Sequence, residues 1–159
     1  MDWIKFGKPS VLGVMTGMVA GLGMIAAGAG FVSPLGAMLI GIIAGVACFY
    51  AIQLIKQYLL IDDALDVFPV HGVSGILGAF LTGVFADTSL GGIGIISEQG
   101  IGYQLFIQLL GIAVTIVWSG FISYLLFKLI DKLVGIRVSQ EAETGGLDIN
   151  EHDQQGYNF

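Results

Sequence analysis

No Asp, Glu, Lys or Arg interrupts the chain from Pro9 to Ile55. About 20 mostly apolar residues suffice to cross the hydrocarbon core of a bilayer, and this stretch holds room for two such crossings. The composition points the same way. The chain has 159 residues, is 55% hydrophobic and only 11% charged, with a mean hydropathy of +0.88. Soluble domains carry roughly 25% charged residues, so this sequence has less than half the charge needed to clothe a water-facing surface. A cytosolic globular enzyme is excluded on that ground. Cys48 is the single cysteine, which excludes an internal disulfide and any CxxC metal or redox site.

Four membrane spans are expected, in an all-α polytopic helix bundle. They cover about 10–32, 35–55, 67–86 and 105–127. The first three contain one ionisable imidazole between them, His71, and no charged residue within the apolar runs. The fourth continues through Lys128, Asp131 and Lys132, so its helix is expected to project beyond the bilayer. Residues 1–138 form the transmembrane part. Residues 139–159 form an acidic tail, with Glu141, Glu143, Asp148, Glu151 and Asp153 and no Lys or Arg. That tail accounts for most of the net charge of −6. No basic patch exists on which nucleic-acid binding could rest.

The six basic residues set the topology. Lys5 and Lys8 precede span one, Lys56 lies between spans two and three, and Lys128, Lys132 and Arg137 follow or end span four. With four spans all six fall on one side, and the positive-inside rule makes that side cytoplasmic. Both termini, Asp62 and Asp63 are then cytoplasmic, and the Gly-rich loop Ser89 to Gly102 is extracytoplasmic. A signal-peptide reading of span one fails on length, and another span follows at once. Trp3, Tyr58 and Tyr103 near span ends read as interfacial anchors; Trp118, mid-span, reads as packing.

Glycine is unusually frequent, at 25 residues, where ~7% is the norm. Gly13, Gly17 and Gly21 recur every fourth position in span one, Gly41 and Gly45 do so in span two, and span three carries Gly72, Gly75 and Gly78. In lipid such faces allow close helix approach. Four helices offer little interior for so many small faces, so further helices or subunits are expected.

His71 is the most informative residue. At helical spacing it shares a stripe with Ser74, Gly75, Gly78 and Thr82, with Val67 one turn earlier, while Val73, Ile76, Leu77, Phe80 and Val84 fall opposite. In a soluble core a lone histidine is ordinarily a hydrogen-bonded packing residue. Within a span, polar groups are costly and mark cavities or pathways. In a narrow apolar passage a neutral imidazole offers one N–H donor and one acceptor, suited to a small neutral molecule or a proton relay. No second His and no carboxylate lies within a span beside it, and Cys48 is the one cysteine, so neither a metal site nor a cofactor is expected. Asp62, Asp63 and Asp66 stand at the start of span three. Asp66 is expected to cap its helix, placing Pro69 in the first turn, where proline is tolerated. His152 reads as a solvated or partner-contacting residue of the tail. Enzyme chemistry is not expected: no HExxH, no paired carboxylates within a span and no facing Ser–His pair are present.

The stretch from Asp62 to Gly75, Asp-Asp-Ala-Leu-Asp-Val-Phe-Pro-Val-His-Gly-Val-Ser-Gly, followed by Leu81-Thr82-Gly83-Val84-Phe85, resembles the tenth helix of the ammonium transporter (Amt/Rh) family. Gly7-Lys8-Pro9-Ser10 resembles the start of that family's eighth helix and Thr115-Ile116-Val117-Trp118-Ser119-Gly120 its eleventh. Gly146-Leu147-Asp148, Glu151-His152 and Tyr157-Asn158 resemble its cytoplasmic tail. The resemblance implies a fold of eleven helices built as an inverted repeat, usually a homotrimer with one hydrophobic pore per subunit. It implies ammonium captured outside, deprotonated and passed along two pore histidines. His71 matches the second of them and Val67 a pore-lining apolar position. Asp63 and Asp66 match acidic positions at the cytoplasmic end. The tail matches a segment that couples subunits and meets the nitrogen-signalling PII protein.

The resemblance covers about the last two-fifths of the family, without the first five-helix half, the first pore histidine or the aromatic recruitment and gate residues. The chain alone is therefore not expected to form a complete conduction path. Ala26-Ala27-Gly28 stands where the family has a Thr-Pro-Ala-type break, Pro69 where glycine is frequent, and Asp153-Gln154 in place of Gly-Glu. The leading expectation is the C-terminal part of an ammonium transporter in the cell membrane, contacting ammonium/ammonia and lipid. The competing one is a non-transporting membrane protein that acts by helix docking or by binding a nitrogen regulator through its tail.

Overall fold

A computed structural model of the chain describes residues 1–94 and 99–155; Tyr157 and Asn158 of the tail motif, and part of the Gly-rich loop, lie outside these. The described residues are helical throughout their regular structure. They run as α1 (Asp2–Phe6), α2 (Val11–Ala26), α3 (Pro34–Gln53), a π turn (Leu54–Tyr58), a second π turn (Phe68–Val73), α4 (Ser74–Phe85), α5 (Ile101–Leu133), α6 (Gln140–Gly145) and α7 (Leu147–His152), with a short 3-10 turn (Thr88–Leu90) after α4. The chain divides into two compact units, Met1–Ala113 and Val114–Phe159.

The first unit is held together by α2, which packs against both α3 and α4. Ser10 and Ser33 cap α2 and α3, accepting from the N–H groups of Gly13 (2.9 Å) and Gly36 (3.1 Å). Pro34 takes the first turn of α3, where its missing N–H costs nothing. Met24, Ile40 and Ala44 are fully buried between the helices, with Ala20, Cys48 and Val70 forming a second buried group beside them.

Among the described residues, three runs are long and apolar enough to cross a membrane: Pro34–Tyr58, Phe68–Phe85 and Ile101–Leu133. The expected first span differs. Its helix stops at Ala26, 16 residues from Val11, or about 24 Å at 1.5 Å per residue. From there the backbone closes tight turns: Gly28 N–H donates to Ile25 O (2.9 Å), and Phe31 and Val32 N–H donate to Gly28 O. Gly28 and Gly30 lower helix propensity here without adding charge, so an uncharged 10–32 reads as one span while its helix covers two-thirds of it. The helix of the expected fourth span, α5, is longer than the 105–127 apolar run and buries no residue in this chain.

In the second unit, the tail is ordered by short-range polar contacts. Gly135 (φ +82°) ends α5. Arg137 Nη2 donates to both carboxylate oxygens of Glu143 (2.9 and 3.0 Å). Ser139 caps α6 through Ala142 N–H (3.2 Å), and Asn150 Nδ2 donates to Gly146 O (2.9 Å).

Candidate functional site

His71 sits in the π turn Phe68–Val73, immediately before α4. In a π turn the hydrogen bonds run i→i+5, and such turns recur at functional positions. This geometry corrects the single stripe read at helical spacing. Ser74, Gly78 and Thr82 are buried, whereas His71 and Gly75 are exposed. Positions counted at 3.6 residues per turn fall out of phase across the wider π turn, so the imidazole leaves the face that packs.

That packed face is a backbone seat. A Cβ on Gly78 would lie 2.1 Å from the carbonyl oxygen of Met24 in α2. Ser74 and Thr82 spend their hydroxyls on their own helix: Ser74 Oγ donates to Val70 O, and Thr82 Oγ1 to Gly78 O (2.8 Å). This back-bonding satisfies a buried hydroxyl without a partner helix. Gly23 and Gly28 of the facing segment leave the space these side chains occupy. The other side of the His71 helix is thus fixed against α2 while the imidazole faces outward. Val67, half exposed at 53%, precedes it.

The start of this helix is controlled by two aspartates in roles that differ from expectation. Asp63, not Asp66, is the side-chain cap: its carboxylate accepts from Val67 N–H (2.9 Å) and Phe68 N–H (2.8 Å). Asp66 adopts φ +56°, a left-handed conformation that Asp tolerates better than most residues, so it turns the chain instead of capping it. Its backbone carbonyl accepts from Val70 N–H (3.0 Å). Its Oδ1 pairs with Lys56 Nζ at 2.7 Å, an ionic contact that is not aligned as a hydrogen bond. Pro69, buried in the first turn, breaks no hydrogen bond there. Lys56 was legible only as a topology marker. Its isolation as the one cation between two apolar runs, ahead of three aspartates, is the feature that points to a pair.

A cleft of about 830 Å³ lies among α1, α2 and α3 and reaches Gln57 and Asp66. Gly17, Gly41 and Gly45 form part of its walls, and it does not include His71. At its mouth Asp2 accepts from Ser10 Oγ (2.5 Å). Lys5 donates to Gln53 (2.5 Å) and lies 5.4 Å from the Phe49 ring centre.

The profile of the Ammonium Transporter Family matches residues 1–157. The chain belongs to the ammonium transporter family. It is 43% identical to an ammonium transporter of Aquifex aeolicus, over 99% of this chain and 37% of the relative. It is 42% identical to a putative ammonium transporter of Methanothermobacter thermautotrophicus, over 99% of this chain and 39% of the relative. A solved structure of a Sensor Amt Protein superposes with a TM-score of 0.83 at 31% identity, covering 95% of this chain and 36% of that one. The chain therefore spans under two-fifths of the length of these relatives. It is a multi-pass membrane protein with a partial all-α ammonium-transporter fold.

Proposed function

We propose that the chain forms the C-terminal part of an ammonium/ammonia path, with His71 as one of two pore histidines and Val67 beside it in the pore lining. The other histidine of the pair, the first, comes from the portion of the transporter that this chain does not span. One observation carries this reading: His71 is exposed on a helix whose opposite face is locked against α2 through Gly78, Ser74 and Thr82. A polar group in an apolar span is expensive unless a pathway uses it, and here the ring is held toward whatever covers that face.

Neutral imidazole donates one hydrogen bond and accepts another, so it can hold uncharged ammonia in passage and hand on a proton. Asp63 and Asp66 act at the cytoplasmic end by fixing the helix start. Both termini of this chain are cytoplasmic, because that side gathers all six Lys and Arg residues. The assembled transporter is a trimer, and the tail offers Gln140–His152 to its neighbours and to a PII-type regulator.

The test is uptake of methylammonium by cells producing this chain alone, or together with the N-terminal remainder of the Aquifex aeolicus relative. Uptake is expected only in the second case, and His71→Leu is expected to reduce it at least tenfold or change its ion selectivity. Uptake and selectivity unchanged by His71→Leu would remove His71 from the path. Assembly without uptake would favour the docking or regulator-binding reading.

A further inference from the structure

Between Lys56 and Asp66 the chain runs through a linker whose apolar residues are not packed. Leu59, Leu60, Ile61 and Leu65 are 57%, 79%, 54% and 84% exposed. Apolar contacts of the linker itself therefore do not tie the His71 helix to α3; beyond the linker, Val70 packs with Cys48 of α3. Two polar devices act across the linker. Asp63 caps Val67 and Phe68 from within the linker. The Lys56–Asp66 pair reaches back across it to the π turn that ends α3.

That π turn matters for the geometry. Leu59 N–H donates to Leu54 O (2.9 Å) and Ile61 N–H to Ile55 O (3.1 Å), so the backbone widens where Lys56 stands. One extra residue in a turn rotates the subsequent side chains by about 100°, and the Lys56 side chain meets Asp66 across the linker. The pair is neither free nor buried, with side chains 38% and 20% exposed. The Asp66 backbone carbonyl in turn accepts from Val70 N–H, and His71 is the next residue.

We propose that Lys56 is a positioning residue for His71. Its ion pair with Asp66 clamps the end of α3 to the start of the His71 helix and so sets the depth and direction of the imidazole. The link to transport rests on the pore reading above; the clamp itself is tested without transport.

The full chain is placed in phosphatidylcholine nanodiscs with ¹⁵N-labelled histidine, in a His152→Asn background that leaves one imidazole. Lys56→Met removes the cation, and Asp66→Asn removes the anion while keeping a residue that tolerates positive φ. Both are expected to move the His71 ring resonances. Both should also raise amide exchange over 67–73 about tenfold, between the effects of breaking exposed and buried pairs. Exchange in Pro34–Gln53 should hold. Lys56→Arg is expected to restore the ring resonances and slow the exchange. The proposal is overturned if both charge-removing variants leave ring and exchange unchanged, or if Lys56→Arg disturbs them as much as Lys56→Met. Should Lys56→Met fail to insert, Asp66→Asn and Lys56→Arg decide alone. A moved ring with uptake insensitive to His71→Leu would keep the clamp and discard the pore role.

Discussion

At the crossing of α2 with α4, Gly78 leaves no room for a methyl group: its Cβ would meet the Met24 carbonyl. Around Gly17, Gly21, Gly41 and Gly45, nothing lies within 4 Å of where a Cβ would sit. Both sites are glycines within apolar helices, yet only the first is used inside this chain. The difference lies in what stands opposite. Ser74 and Thr82 are small, satisfy their own hydroxyls and flank Gly78 on one face, so two backbones can touch. Gly17, Gly41 and Gly45 instead line the cleft between α2 and α3, wide enough for another segment. Glycine spacing marks a face able to pack closely; the identity of the facing residues decides whether the chain itself fills it.

The strongest way to break this contrast is Gly78→Ala. The added carbon must push against backbone, which cannot swing aside, so the loss should reach or exceed the top of the roughly 1–3 kcal/mol range for overpacking. Denaturant unfolding in detergent measures it. A loss near zero would mean that α2 and α4 do not set each other's spacing. Gly23→Ala is next. Its Cβ would meet the Ser74 hydroxyl at 2.7 Å, which can rotate away at the expense of its bond to Val70 O, a cost of about 1 kcal/mol. Gly45→Ala should cost nothing in this chain, and can gain up to about 1 kcal/mol of helix propensity. The same change should become destabilising when the rest of the transporter is present. If it stays neutral there, the open glycines are not a helix seat.

The smallest effect concerns the loop beyond α4, which holds the far end of the packed side. Ser33 Oγ donates to Leu90 O (2.9 Å), and Ile93 N–H to Phe31 O (3.1 Å). Asp87 organises this loop, with Ser89 N–H donating to its carboxylate at 2.7 Å. The Ser89 side chain, and then its N–H, hold the Asp87 carboxyl below its ordinary value of 3.8. A carboxyl whose pKa is lower folded than unfolded stabilises the fold above the unfolded value. That contribution is lost as pH falls through the lower, folded one. Amide exchange at Ser89 and Leu90 should therefore quicken only in acid below the usual carboxylate range, with Gly45 and its neighbours unaffected. Asp87→Asn should remove that pH dependence.

Much of the molecule was legible because lipid imposes a simple rule: apolar runs of span length become helices. The resemblance around Asp62–Gly75 singled out His71, which lies in the apolar run Phe68–Phe85. What escaped the sequence is local backbone geometry. Neither π turn has a compositional mark, so His71 and Gly78 read as one stripe when they occupy different faces. The end of α2 at Ala26 falls inside an uncharged run, so charge does not mark it. Asp63 and Asp66 were equivalent as caps by residue type, and only the left-handed backbone at Asp66 separates their roles. The Lys56–Asp66 pair bridges a linker, a distance that helical periodicity does not describe.

The seat of Gly78 on Met24 has one more consequence. Where two helices meet through side chains, a larger residue on one can be matched by a smaller one on the other, and their separation can drift over many small changes. Here the meeting surfaces are main chain, with no atoms to trim. The separation is a hard stop, a ruler built into the polymer, and variation elsewhere in the bundle has to accumulate around it.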